Sequence, residues 1–126
     1  MNLRGIGVDI QKVKRFKRSV ERGGERILKK IFTRTELEYC LSMKDPYPHL
    51  TARFCLKEAV LKAFGTGVSG GVTFRDVEVC QESSGKPYVR LHGRLRELSK
   101  ELGVSGVFVS MSHSGDYAVA VAVLLA

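Results

Sequence analysis

Residues 50–67, LTARFCLKEAVLKAFGTG, decide the fold. Good helix formers run without a break from Leu50 to Phe64, and Gly65-Thr66-Gly67 stops them. Wound at about 100° per residue, the segment is apolar over most of its circumference. Arg53 and Lys57 fall on one flank. Thr51, Glu58 and Lys62 form a narrow polar stripe elsewhere, edged by Phe54 and Leu61 on one side and by Cys55 and Ala59 on the other. A helix apolar nearly all round is mostly buried, so its charged stripe requires a reason.

The last apolar run supplies a partner for that helix. Tyr117–Leu125 reads as a strand whose alternation is of size rather than polarity. Val119, Val121 and Val123 point one way; Ala118, Ala120 and Ala122 point the other, making a smooth face that another element can approach closely. The helix offers Ala52, Ala59 and Ala63, and the two surfaces are expected to pack.

The rest follows outward. Residues 3–10, LRGIGVDI, read as a strand in which Gly5 and Gly7 either weaken the pairing or permit close backbone approach. Gln11–Arg22 is predicted helical, with Val13, Phe16 and Val20 on one face, ended by Gly23-Gly24; a short helix over 25–31 follows. Thr33 and Glu36 form a capping box that opens a helix to about Ser42, and residues 45–49, DPYPH, are expected to be a loop. Residues 72–80 and 88–92 read as a hairpin around the 83–87 turn. Gly93–Leu102 reads as a helix with Leu95, Leu98 and Leu102 on one face. Residues 104–112 read as a strand and 113–116 as the turn into the last strand. The fold class is α+β: an antiparallel β-sheet packed with a long buried helix. No strand–helix alternation suggests a dinucleotide-binding sheet.

The chain of 126 residues is one domain's worth, 1–126, with no internal repeat or linker. Its net charge is +8, and residues 1–30 carry ten basic and three acidic groups, so +7 of the excess sits in the first quarter. A negatively charged partner is therefore expected: nucleic acid, an anionic membrane, a phosphorylated ligand or an acidic protein. The longest apolar run, ten residues, is too short for a membrane helix. Cys40, Cys55 and Cys80 form no CxxC, which argues against a zinc site or disulfide framework and fits a soluble protein of the reducing cytoplasm.

No G-x-S-x-G, HExxH or P-loop is present. Asp9 closes an apolar strand just before a basic helix, either as a turn or N-cap residue or as a functional carboxylate. Glu58 and Lys62, four apart, are either an ordinary helical ion pair or part of a charged site. Half-buried charges seek a metal, a charged ligand or each other. Two carboxylates from separate elements, with water and phosphate oxygens, suit Mg²⁺, and a lysine one turn away would neutralise the same phosphates. Gly65-Thr66-Gly67 is either a simple helix cap or a place where backbone amides meet a ligand. His113 is either a turn residue or a catalytic one. Phe16 and Val20 belong either to the core or to an interface.

In order and spacing, GIGVDI (5–10), Arg15, ARFCLKEAVLKAFGTG (52–67), GKP (85–87) and SMSHSGDYA (110–118) resemble the holo-acyl-carrier-protein synthase family. These are the small phosphopantetheinyl transferases of bacterial fatty-acid synthesis, and the likeness covers almost the whole chain. Its most specific part is the strand aspartate paired with the downstream KEAxxKA helix. The resemblance implies an α+β phosphopantetheinyl transferase fold and a homotrimer with active sites between subunits. It also implies Mg²⁺-dependent transfer of 4′-phosphopantetheine from coenzyme A to a serine of apo-acyl carrier protein, releasing 3′,5′-ADP. Asp9 and Glu58 match the carboxylates that hold Mg²⁺, and Lys62 the lysine near the substrate phosphates. Arg53 matches an arginine near the nucleotide end of coenzyme A, and His113 a histidine that reaches coenzyme A from a neighbouring subunit. Gly65, Lys86 and Pro87 join the expected coenzyme A contacts. Arg15 matches the arginine that opens the carrier-docking helix, with Arg18 and Arg22 along the same basic face. The chain departs from the family at Cys55-Leu56, where small residues are usual, at Leu61, where some members have serine, and in its glycine-rich 69–71 loop. Two rivals stand beside this reading: a non-enzymatic nucleic-acid-binding domain, and a trimeric scaffold without activity. The patch lacks interleaved aromatics and any helix-turn-helix or RNA-binding motif, so nucleic acid is not expected as a partner; with no apolar run long enough to span a bilayer, neither is a membrane.

Overall fold

A computed structural model describes all residues, 1–126. Strand β1 (Leu3–Lys12) leads into helices α1 (Val13–Gly23), α2 (Glu25–Ile31), α3 (Arg34–Leu41) and the long α4 (Pro46–Phe64). A 3₁₀ turn at Phe74–Asp76 precedes strands β2 (Val77–Gln81) and β3 (Pro87–Leu91). Helix α5 (Gly93–Glu101) and strands β4 (Gly106–Ser114) and β5 (Tyr117–Leu125) complete the chain. The architecture is α+β and wholly antiparallel. The sheet is divided in two: β1, β5 and β4 pair in that order, while β2 and β3 form a separate hairpin.

Helix α4 lies across the three-stranded sheet on its alanine face. Ala118, Ala120 and Ala122 are buried there, and Cys55, Leu56, Ala59 and Val60 face them from the helix. Burying each large aliphatic side chain is worth about 1.5–3 kcal/mol. β1 comes closer still. A Cβ on Gly7 would collide with the carbonyl of Ala59, and one on Gly5 with the carbonyl of Ala63. The glycines are what let strand and helix backbones touch. A second core joins α1–α3 to the start of α4. Phe16 stacks on Phe54 at 4.8 Å and meets Phe32 edge-on at 6.2 Å. Phe16 and Val20 are both buried, so they belong to the core and not to a surface interface.

Several boundaries differ from expectation, and β4 begins at Gly106 rather than at residue 104. Gln11 and Lys12 extend β1 instead of opening α1, because they still pair across from Ala118 and Tyr117 of β5. Cross-strand pairing outweighs their helical preference. Residues 46–49 are not a loop but the first turn of α4. The Asp45 side chain accepts from Tyr47 N at 3.2 Å, and Pro46 and Pro48 fall where helical amides have no partner to lose. The strand expected from residue 72 begins at Val77, after the 3₁₀ turn. His113 and Ser114 are still strand, opposite Ala118 and Tyr117, leaving only Gly115 and Asp116 to turn.

The flank of α4 that carries Arg53 and Lys57 is buried, not solvated. The Lys57 ammonium lies 2.8 Å from Glu36 Oε1 and donates to the carbonyls of Phe74 and Val77. Burial lowers its pKa, and the Glu36 carboxylate opposes that shift. Glu36 also accepts from Thr33 N and Val79 N, each at 2.7 Å. One carboxylate thereby ties α3 and β2 to the turn of α4 that carries Glu58. Removing one partner of such a pair typically costs about 3–5 kcal/mol. No helix is long and apolar enough to cross a membrane.

Candidate functional site

Strand β1 and helix α4 run past each other so that Asp9, Glu58 and Lys62 share one edge of the sheet. Asp9 points to the helix side, two residues on from Gly7. Its backbone carbonyl receives the Cys55 thiol at 3.1 Å, which pins the strand to the helix one turn before Glu58. Burial, reinforced by Asp9, pushes the Cys55 thiol up to about 12, so it stays protonated as a donor.

Lys62 does not pair with Glu58, its neighbour four residues back. Its ammonium donates to Asp9 Oδ1 at 2.9 Å and to the Val8 carbonyl at 3.1 Å. The bond to Asp9 raises the lysine pKa. The other Asp9 oxygen, Oδ2, accepts from the Gln11 side chain at 2.8 Å. The Glu58 carboxyl is held above its ordinary pKa, first by partial burial and then by the negative charge of Asp9, with Lys62 opposing both. Two carboxylates thus face one ammonium, leaving excess negative charge at a single point of a chain whose net charge is +8.

That donor set suits a hard divalent cation. It consists of oxygen ligands only, from two elements, and the carboxyl with the raised pKa is one that a neighbouring positive ion would relieve. No group of three or more His, Cys, Asp or Glu side chains is arranged to hold a metal ion by itself. A pair of carboxylates leaves the remaining octahedral positions of Mg²⁺ for water and phosphate oxygens. Asp9 and Glu58 therefore fit the cation expected of them.

The other anticipated residues fall into four groups. Gly65 caps α4 in the left-handed conformation, φ 76°, one turn beyond Lys62's position on the helix, and its amide is used by Leu61 and Lys62 carbonyls. Arg53 lies toward the opposite end of α4, buried, with its guanidinium 4.5 Å from the centre of the Tyr39 ring. His113 joins it there: its ring is 5.8 Å from His49, which is 6.2 Å from Tyr39. The His49 pKa is lowered by burial and then by the charges of Arg53 and His113. Sequence reasoning gave no weight to Tyr39 or His49, since only the packing of α3 against α4 reveals them. Lys86 and Pro87 are not part of either cluster within one chain. They line a recess of about 490 Å³ with Tyr88 and Phe108, on the β3–β4 side. Arg15, Arg18 and Arg22 are exposed on α1. Arg15 and Arg18 line a recess of about 270 Å³ with Lys12, Lys14, Asp116 and Tyr117.

A family profile described as the 4′-phosphopantetheinyl transferase superfamily matches residues 5–122. The holo-[acyl-carrier-protein] synthase of Ruminiclostridium cellulolyticum is 48% identical over 120 residues, covering 94% of this chain and 90% of that protein. Among solved structures, the holo-[acyl-carrier-protein] synthase of Neisseria meningitidis superposes with a TM-score of 0.92 at 34% identity, covering 99% of this chain and 100% of that one. The Helicobacter pylori holo-[acyl-carrier-protein] synthase in complex with coenzyme A gives 0.84 at 27% identity, covering 95% and 99%.

Proposed function

The chain belongs to the 4′-phosphopantetheinyl transferase superfamily, within its holo-[acyl-carrier-protein] synthases, and from that premise we propose its reaction. It moves 4′-phosphopantetheine from coenzyme A to a serine hydroxyl of apo-acyl carrier protein, for fatty-acid synthesis in the cytoplasm. The serine oxygen forms a new bond to the phosphorus that bears pantetheine. The P–O bond to the nucleotide half breaks, and 3′,5′-ADP leaves. The observation that carries this reading is the convergence of Asp9, Glu58 and Lys62, with Lys62 only 2.9 Å from Asp9.

Catalysis of such a transfer is mainly positioning and charge stabilisation. Asp9 and Glu58 would hold Mg²⁺, which when bound supplies Lewis-acid neutralisation of charge on the pyrophosphate. Lys62, half-exposed and kept protonated by Asp9, presents a second positive group to the same oxygens. The serine proton would pass to a water, either free or one held by Glu58. Arg53, in its cluster with Tyr39, His49 and His113, offers a positive group to the phosphates at the nucleotide end. The exposed guanidinium groups of Arg15, Arg18 and Arg22 have no acidic partner within 4 Å and suit an acidic carrier protein.

Assembly as a homotrimer belongs to the same proposal. The sheet face turned away from α4 exposes Ile6, Val8 and Ile10 of β1, Tyr117 and Val119 of β5, and Phe108 of β4. A contiguous apolar face of this kind marks a protein interface. The deciding experiment incubates the protein with coenzyme A, Mg²⁺ and an apo-acyl carrier protein and follows the carrier's mass. Addition of phosphopantetheine, lost when Mg²⁺ is chelated, is expected. An unmodified carrier under all conditions would overturn the assignment.

A further inference from the structure

Gln11 has no place in the reading above, and its position is a consequence of where β1 ends. Because the strand continues to Lys12, Gln11 lies two residues beyond Asp9 and projects to the same face. Its cross-strand partner is Ala118, fully buried and too small to fill the space on that side. The glutamine side chain therefore turns along its own strand and meets Asp9 Oδ2 at 2.8 Å. An ionised carboxylate only accepts, so it is the amide nitrogen that faces it.

The two oxygens of Asp9 thus have unlike partners. Oδ1 faces Lys62 across a gap between separate elements; Oδ2 is held by a residue of the same strand. A carboxylate bonded through one oxygen alone turns readily about its terminal torsion, which is broad. The second bond, at right register along the strand, fixes its plane. Gln11 achieves this as a neutral donor. A lysine or arginine there would cancel the charge that a cation needs, whereas the amide leaves it in place.

We propose that Gln11 is a positioning residue for the divalent cation: by holding Asp9 Oδ2, it fixes the carboxylate with Oδ1 turned toward Lys62. The proposal rests on the reading of Asp9 and Glu58 as cation ligands. Hydrogen-bond partners that orient a metal-binding carboxylate are typically worth about 10- to 100-fold in metal affinity.

Mn²⁺ is a suitable probe, since it prefers the same oxygen ligands and its free form is counted by electron paramagnetic resonance. The full-length protein, Gln11→Met and Asp9→Asn are titrated with Mn²⁺ in the presence of coenzyme A, after thermal unfolding has shown each variant to be folded. Gln11→Met keeps length and flexibility but cannot donate. It is expected to weaken Mn²⁺ binding about tenfold or more, and its loss of turnover at low Mg²⁺ should be reversed by raising Mg²⁺, which a general packing defect would not show. Mn²⁺ affinity within about twofold of the parent in Gln11→Met, with Asp9→Asn abolishing binding, overturns the role of Gln11 and leaves the cation site standing. Unchanged binding in both variants overturns the two together.

Discussion

Glu58 is a single side chain whose charge the fold does not favour. Its pKa in the folded chain is raised above the ordinary 4.5, by burial first and by Asp9 second. A raised folded pKa means that the folded state binds the proton more tightly than the unfolded one. Its contribution to stability is then complete below pH 4.5 and is lost as pH rises through the folded value. Above that value the Glu58 carboxylate sits beside Asp9 with Lys62 opposing the charge of both. Glu58→Gln should therefore melt higher than the parent at pH 7 in chelator, with the difference disappearing toward pH 4. The same variant should lose activity by about 100-fold or more, since charge stabilisation at the phosphates is the main catalytic term. Thermal unfolding at the two pH values checks the first half, and a variant that melts lower at pH 7 would contradict it. Mg²⁺ should stabilise the parent and not the variant.

At the level of elements, the contact between α4 and the sheet is the feature everything else depends on. Ala120 is buried under the helix and sits opposite Asp9 in the β1–β5 register. Ala120→Leu inserts three carbons where strand and helix already touch. It should cost about 1–3 kcal/mol in denaturant unfolding and lower activity as well, because α4 cannot be pushed away without moving Glu58 and Lys62 from Asp9. A stability within about 0.5 kcal/mol of the parent would mean that the helix is not seated there. This contact was legible in the sequence because both partners carry strong periods: a helix apolar nearly all round, and a strand alternating valine with alanine. The two carboxylates were legible for a related reason, being charges out of place on apolar elements. Boundaries were less so. Gln11 and Lys12 follow β5, and residues 46–49 follow a proline-tolerant first turn; both depend on partners distant in sequence or on which amides go unused. The true partner of Lys62 was hidden for the same reason, as a helical neighbour four residues away is visible in a sequence and a strand 53 residues away is not. Glu36 was readable as a cap, but not as the counter-ion of a lysine buried in another helix.

The molecule as a whole separates its charge from its apolar surface. The basic face of α1 points to solvent, while the apolar face of the three-stranded sheet points away from α4. If α1 receives an acidic carrier, Arg15→Glu with Arg18→Glu should slow association by more than tenfold at low salt and flatten its dependence on ionic strength. Stopped-flow association at several salt concentrations measures this, and an unchanged salt profile would move the docking site elsewhere. The sheet face makes a separate demand. Ile6, Val8 and Ile10 are each about 60% exposed in the single chain, on a strand whose other face is closed against a helix backbone. A contiguous apolar row of this kind is what an interface between copies would cover. Val8→Lys places a charge in the middle of that row. In a lone chain it costs little, since the side chain is already in water and strand preferences span only about 1 kcal/mol. In an assembly it buries an unpaired ammonium at every interface, which is several kcal/mol too expensive to keep. Light scattering after gel filtration should find the parent trimeric and Val8→Lys monomeric yet folded. Transfer activity should fall with assembly, because one chain alone leaves Lys86 and Pro87 on a different recess from Asp9 and Glu58. A Val8→Lys protein that remains trimeric would show that subunits meet through another surface, and a fully active monomer would show that the site is complete within one chain.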